Sequence, residues 1–349
     1  MLRTSTVLLI ASLAPLAPLA AQAPRTADGH PDLSGMYDIA TLTPLTRPAN
    51  LADRKSLTEA EAQRLARATA AAKARANDKS DPNRAAPPAG GDGSEGAAGN
   101  VGGYNALWVD NGNGAFKIDG QFRTSIIIDP ANGRMPTMTP EAIKKARARA
   151  GWNRPNRGDA FWIEANLNPG PYDDPELRPL AERCILGFGS SAGPPAMPVL
   201  YNNLKQIVQT KDTVMIFNEM VHDARIVRMN AKHDPPEIRR WTGDSVGKWE
   251  GDTLVVDTTN FTDQPALGSA DRNLHVIERF SRIDAKTLLY RFTVDDPTVW
   301  TAQWTGEFVW PATESRIYEY ACHEGNYSFA NILRGARRLE AEAMKKQAK

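Results

Sequence analysis

Apolar and polar residues alternate through much of the second half of the chain. Leu288, Tyr290, Phe292 and Val294 fall on one parity, and Leu289, Arg291, Thr293 and Asp295 on the other. This is the period-two signature of a strand with one buried face. Trp304, Gly306, Phe308 and Trp310 share one face of the next run. Segments 205–210 and 213–219 read as a hairpin around Lys211-Asp212, 225–229 follows, and 275–283 with 287–295 reads as a second hairpin. Between them, 249–261 (WEGDTLVVDTTNF) is β-branched and Thr-rich after a Gly-Asp turn, the composition of a central strand. Segment 317–322 reads as the last strand.

With the Leu-Ser-Gly-Met-Tyr run at 33–37 and Ser125-Ile126-Ile127-Ile128, the pattern predicts about nine or ten strands joined mostly as hairpins. The fold class expected is mainly β, an antiparallel meander closing into a lipocalin-like, calycin-type barrel, because closure removes exposed edges. A sandwich ranks second. A propeller ranks third, since no fixed repeat is present.

Helices are expected at the periphery. Segment 56–76 is Ala-rich, with Ser56 as cap and Glu59 completing a capping box. Thr139-Pro140-Glu141 opens a second helix, and 334–349 reads as a polar C-terminal helix. Segment 78–103 is rich in Gly and Pro and is expected to be a disordered loop. Segment 151–200, irregular and rich in prolines and aromatics, is expected to lie over the sheet like a lid. The organisation expected is a signal peptide at 1–23 and one β-barrel domain at 24–349, interrupted by 56–103 and by a helical and irregular insertion at 139–200.

The leader reading rests on Arg3, a short apolar run at 7–19 and the small-x-small site Ala21-Gln22-Ala23. It places the mature protein in the periplasm or outside the cell, with no integral membrane segment once the leader is removed. With 42 Lys+Arg against 41 Asp+Glu, the balance of charge gives no case for nucleic acid as a partner. In an oxidising compartment Cys184 and Cys322 are a candidate disulfide, with two buried free thiols as the alternative.

Polar groups crowd at two strand ends. Glu219, His222 and Asp223 follow one strand, and His323 and Glu324 follow another beside Cys322. A His beside carboxylates is suited to proton transfer near neutral pH, so these five are the candidate catalytic residues. A capping turn paired with Arg225 and a hydrogen-bonded corner are the plainer alternatives. Trp249, His275, Tyr290, Trp304 and Tyr320 are candidate ligand contacts within a barrel rich in aromatics, although core packing explains most tryptophans equally well. His222, His275 and His323 are spaced by 53 and 48 residues, which matches no local metal motif, so neither a metal nor a cofactor is expected. Gly189-Ser190-Ser191-Ala192-Gly193 matches a nucleophile elbow, but no strong strand precedes it and Pro194-Pro195 blocks the helix that should follow.

Several segments carry a resemblance. They are Pro31-Asp32-Leu33-Ser34-Gly35, Arg123-Thr124-Ser125 with Asp129-Pro130, Glu182-Arg183-Cys184, the run from Asn218-Glu219-Met220 through His222-Asp223-Ala224-Arg225, 249–261, and 318–327 (YEYACHEGNY). Through them the whole mature chain resembles an uncharacterised family of exported bacterial proteins. Its C-terminal half also resembles lipocalin-like domains of unknown function. The resemblance implies export and a barrel; it supplies no reaction, cofactor or catalytic residue. Three functions are therefore weighed. The first is a barrel binding a small apolar or aromatic molecule. The second is a cofactor-independent hydrolase, lyase or isomerase with a His/carboxylate site, and the third is a structural module of the envelope.

Overall fold

The computed structural model describes residues 24–77, 83, 109–152 and 158–348. The leader reading and most of the Gly-rich loop at 78–103 lie outside them. No helix among the described residues is long and apolar enough to cross a membrane.

The protein is mainly β. The strands are β1 (Gly35–Asp38), β2 (Ser56–Leu57), β3 (Lys117–Ile118), β4 (Gln121–Arg123), β5 (Ile127–Asp129), β6 (Leu204–Gln209) and β7 (Thr213–Asn218). They continue with β8 (Ala224–Met229), β9 (Asp244–Glu250), β10 (Thr253–Thr259), β11 (His275–Arg282), β12 (Thr287–Asp295) and β13 (Trp304–Pro311). Ten of them form one sheet in the order β1-β6-β7-β8-β9-β10-β11-β12-β13-β5, and β2-β4-β3 form a small second sheet.

The expected pairing and closure of the sheet both need correction. The meander is not wholly antiparallel, because β8 and β9 pair in parallel. Segment 230–243 is the crossover that a parallel pair requires, leading from the Asn230 N–H on the Gly247 carbonyl to the Arg240 N–H on the Asn260 carbonyl before β9 begins. Nor does the sheet close into a barrel; it curls into a half-barrel. The first part of β13 is occupied by β5 through Thr305↔Asp129 and Gly306↔Ile127. Only its far end meets β1, through a bridge between Tyr37 and Ala312 and the Thr313 N–H donating to the Met36 carbonyl at 2.9 Å.

The concave face is filled by its own side chains. Phe280, Tyr290, Phe292, Trp304, Phe308 and Trp310 are all fully buried there. Gly306 makes this packing possible. It stands opposite Phe292 in register, and a Cβ at Gly306 would lie 2.4 Å from the Phe292 ring.

Among the described residues four α-helices flank the sheet: α1 (Glu59–Ala76), α2 (Pro140–Trp152), α3 (Phe161–Glu164) and α4 (Tyr327–Gln347). The cap of α1 is Thr58 rather than Ser56, with Glu61 closing the capping box; Ser56 is held in β2. Helix α4 starts earlier than its polar composition predicts and is not polar all round. Ile332, Leu333, Ala336, Leu339 and Ala343 form a stripe that packs with Phe161, Trp162 and Tyr172. Segment 317–322 is not a strand, since the edge it would join is already taken.

Candidate functional site

Along each strand of the sheet every second side chain points inward. At one end of the curl those inward positions are polar. They are Lys205 on β6, Asn218 on β7, Arg225 on β8, Ser245 and Thr258 on β9 and β10, Glu278 on β11 and Tyr290 on β12, and all are buried. Lys205 and Asn218 are direct register partners. The Arg225 guanidinium lies against the Glu278 carboxylate, one nitrogen in a very short contact with Oε2 and the other 2.9 Å from Oε1. The Tyr290 hydroxyl donates to Glu278 Oε1 at 2.7 Å, and Ser245 and Thr258 join through their hydroxyls at 2.9 Å.

A loop over 184–203 seals this layer. Lys205 Nζ donates to the Ser191 carbonyl at 2.7 Å, the Ala196 N–H donates to the Tyr290 hydroxyl at 2.9 Å, and Asn218 Nδ2 reaches the Ala192 carbonyl at 3.5 Å. The loop is folded on itself by Met197 N–H to the Ser190 carbonyl and anchored at its base by the Asn203 side chain. Gly187 allows the close approach: a Cβ there would lie 2.4 Å from Ser191 Oγ and 2.5 Å from Met220 Sδ. Of the irregular stretch expected over the sheet, the 190–196 part lies on this layer, whereas Phe161, Trp162 and Tyr172 pack with α4. Ser191 is buried with its hydroxyl on Met220 Sδ, in a loop rather than between a strand and a helix, which is no place for a nucleophile elbow.

The turn after β7 joins this layer to the surface. Val221 and His222 both lie in the left-handed region, with φ of 58° and 44°, unusual for residues other than glycine and most of all for a β-branched one. The turn keeps Glu219 and Asp223 near enough for their charges to act on Lys205 and leaves His222 exposed. Burial lowers the Lys205 ammonium to about 7, while the charge of Glu219 opposes the shift. Burial also raises the Asp223 carboxyl to about 6 and moves Glu219 upward. Asn218 Oδ1, Asp223 Oδ2 and Arg225 Nε are buried and find no hydrogen-bond partner among the described residues.

Glu219 also lines a groove of about 1050 Å³ outside the sheet. Cys184 and Cys322 are joined, with Cα atoms 5.7 Å apart, and the bridge holds the two sides of this groove together. Tyr201 belongs to the loop side, and Tyr318 and Tyr320 to the segment that replaces the expected last strand.

The sequence-predicted residues are thus divided. Glu219, Asp223 and Tyr290 lie in or beside the polar layer, and Tyr320 faces the groove with Glu219. His323 and Glu324 are exposed, and His323 lines a separate small cavity with Arg183, Ile185 and Phe329, which His222 does not share. Trp249 stacks on His30 with ring centroids 4.6 Å apart. Trp304 packs edge-on to Phe292 and Trp300 within the core. His275 is on the outer face, its Nε2 3.0 Å from Asp257 Oδ1, and His233, which the motifs did not single out, approaches the same oxygen at 3.1 Å. Among the described residues no group of three or more His, Cys, Asp or Glu side chains is arranged to hold a metal.

Lys205, Asn218, Arg225 and Glu278 were missed as site residues. The signal for them was present: each is a polar residue on the apolar parity of its strand, Lys205 in phase with Ile207, Arg225 with Val227, and Glu278 with Val276 and Phe280. No protein-family model matches the chain, and comparison with curated proteins finds no match.

Proposed function

We propose that the protein is an exported small-molecule-binding protein whose ligand seats in the groove beside the disulfide rather than inside the curl, and that this ligand is basic, with an aromatic or apolar body. One observation carries the reading. The groove is walled by tyrosines and carries Asp38, Asp110, Glu219 and Glu319 against Arg316 as the one cation among its lining residues, while its Glu182 is already paired with Arg178. Carboxylates attract a cation, and tyrosine faces hold it through their π-clouds. The volume suits a small organic ligand, whereas the concave face is filled by its own aromatics. Export, to the periplasm or beyond, is supported by the disulfide, which persists in oxidising compartments, and by the leader-like first 23 residues.

Titration calorimetry with tryptamine and indole-3-acetate tests the proposal on a matched aromatic pair. The amine is expected to bind, the acid is not, and Glu219→Gln together with Asp38→Asn is expected to weaken the amine severalfold. Equal binding of both, or of neither, overturns it.

A second reading, a cofactor-independent acid–base enzyme, is favoured by Glu219 itself. Its carboxyl faces the groove and is shifted upward by burial, the direction that suits a carboxyl for acid–base work. That reading expects Glu219→Gln to abolish turnover of a groove ligand; unchanged turnover excludes it.

A further inference from the structure

We propose that Lys205 is a masked amine nucleophile, and that a small hydroxylated aldehyde or ketone admitted beneath the 190–196 loop is captured there as an imine. The inference concerns the polar layer and does not depend on what the groove binds.

A lysine at a fully buried inward position of a strand is uncommon, because an unpaired ammonium is costly to desolvate. Among the described residues Lys205 has no carboxylate within ion-pair distance; its amine donates to a backbone carbonyl of the covering loop. Arg225, the neighbouring cation, is already neutralised by Glu278. The lowered ammonium value agrees with this placement, so a large share of the amine carries its lone pair at neutral pH. A desolvated, neutral lysine is the form that attacks carbonyl carbon.

The surroundings define what the carbonyl compound must carry. Among the described residues Asn218 Oδ1 and Asp223 Oδ2 are buried acceptors without donors, and Arg225 Nε is a buried donor without an acceptor. Asn218 and Arg225 are nearly or fully inaccessible. A carbonyl compound bearing hydroxyl groups supplies both kinds of partner, and buried polar groups generally have one. Asp223 also supplies the proton inventory. The amine adds to the carbonyl carbon, and a nitrogen proton moves to the oxygen to give a carbinolamine. The Asp223 carboxyl then protonates the hydroxyl, which leaves as water as the C=N bond forms. The proton left on nitrogen returns to Asp223. Amine and carbonyl compound thus give imine and water, with no oxidant or reductant.

Entry requires the buried 190–196 segment to lift. Three hydrogen bonds tie it to the layer, with Lys205 and Asn218 donating to the Ser191 and Ala192 carbonyls and the Ala196 N–H donating to the Tyr290 hydroxyl; Ser191 Oγ also rests on Met220 Sδ and Ala196 packs into the core, but the segment contributes no strand to the sheet.

The test is reductive trapping on the full, disulfide-intact chain. Glycolaldehyde with cyanoborohydride at pH 7.5 is followed by peptide mapping. Lys205 is expected to be modified at least about tenfold faster than surface lysines, whose ordinary values leave little free amine at that pH. Asp223→Asn is expected to slow labelling of Lys205 severalfold and leave the surface lysines unchanged. Acetaldehyde, which lacks the hydroxyl, is expected to label Lys205 more slowly than glycolaldehyde. An unmodified Lys205, or one modified no faster than the surface lysines, overturns the proposal and leaves Lys205 as a loop anchor. Equal rates with the two aldehydes overturn the hydroxyl requirement.

Discussion

At the scale of single residues, the buried Arg225–Glu278–Tyr290 group sets the strongest expectations. Removing one member of a buried ion pair leaves the other charge unpaired in a dry site, which typically costs about 3–5 kcal/mol. Arg225→Met is therefore expected to lower the unfolding free energy by about that amount, and Arg225→Met combined with Glu278→Leu to recover most of it, as read from urea melts of the two single variants and the double. Asp223 gives a pH-dependent counterpart. Its folded value near 6 exceeds the ordinary value near 4, so the folded state binds more protons in that window and stability falls as pH rises through it. Asp223→Asn is expected to be more stable than the parent at pH 8 by about 1 kcal/mol, after discounting for its partial exposure, and nearly equal to it at pH 4. Lys205 acts in the other window. Its folded value near 7 lies below the unfolded one, so its contribution rises as pH climbs from about 7 toward 10. The charged members of the layer were legible one strand at a time, since each breaks the apolar parity of its own strand. Their assembly was not legible, because the group on β6 to β8, Lys205, Asn218 and Arg225, meets the pair Glu278 and Tyr290 on β11 and β12 only across 53 residues of sequence. His222 shows the opposite failure: its position after a strand was correctly read, but the left-handed turn at Val221 and His222 directs it to solvent.

At the scale of elements, most strands of the second half follow from alternation alone, because a period-two pattern with one apolar face has few other ways to bury itself. The exceptions have two causes. Segment 317–322 has strand composition, but β5 already occupies the edge of β13, so this stretch becomes a wall of the groove instead. Parallel pairing of β8 and β9 was equally hidden, as connection length rather than strand pattern decides it. The outer face of β10 and β11 carries a testable electrostatic device. His275 is raised above its ordinary value, first by its hydrogen bond to Asp257, and Asp257 is lowered by the same bond. The stabilisation from His275 is fully present below its unfolded value near 6.5 and is lost as pH rises through the folded value. The contribution of Asp257 is lost as pH falls through its own lowered value. In an NMR titration, Asp257→Asn is expected to bring the His275 midpoint down toward 6.5. An unmoved midpoint would mean that Asp295, the other nearby carboxylate, governs the shift.

At the scale of the whole molecule, the half-barrel supports itself through a filled concave face, while the groove depends on a covalent link between two non-sheet segments. The disulfide joins Cys184, in the loop, to Cys322, in the stretch before α4, across 138 residues of sequence. Asn326 adds to the same junction, donating to the Glu182 carbonyl at 2.7 Å. In the chain-entropy model, closing so long a loop is worth about 5 kcal/mol. Native contacts around Asn326 and the α3–α4 cluster keep part of the junction in place when the bond is cut, so the effect should fall unevenly across the molecule. Replacing both cysteines by alanine, or reducing the bond, is expected to lower the urea midpoint. The far-UV signature of the folded sheet should be unchanged in the absence of denaturant, because none of the sheet's inter-strand ladders passes through the bridge. Within that folded protein, the groove walls carrying Tyr201 on one side and Tyr318 and Tyr320 on the other lose their tie. Affinity for tryptamine should therefore fall by more than that of Tyr290→Phe, a change confined to the polar layer. If reduction shifts the urea midpoint but leaves tryptamine affinity untouched, the bridge serves the fold alone and the groove is shaped by the packing of α4.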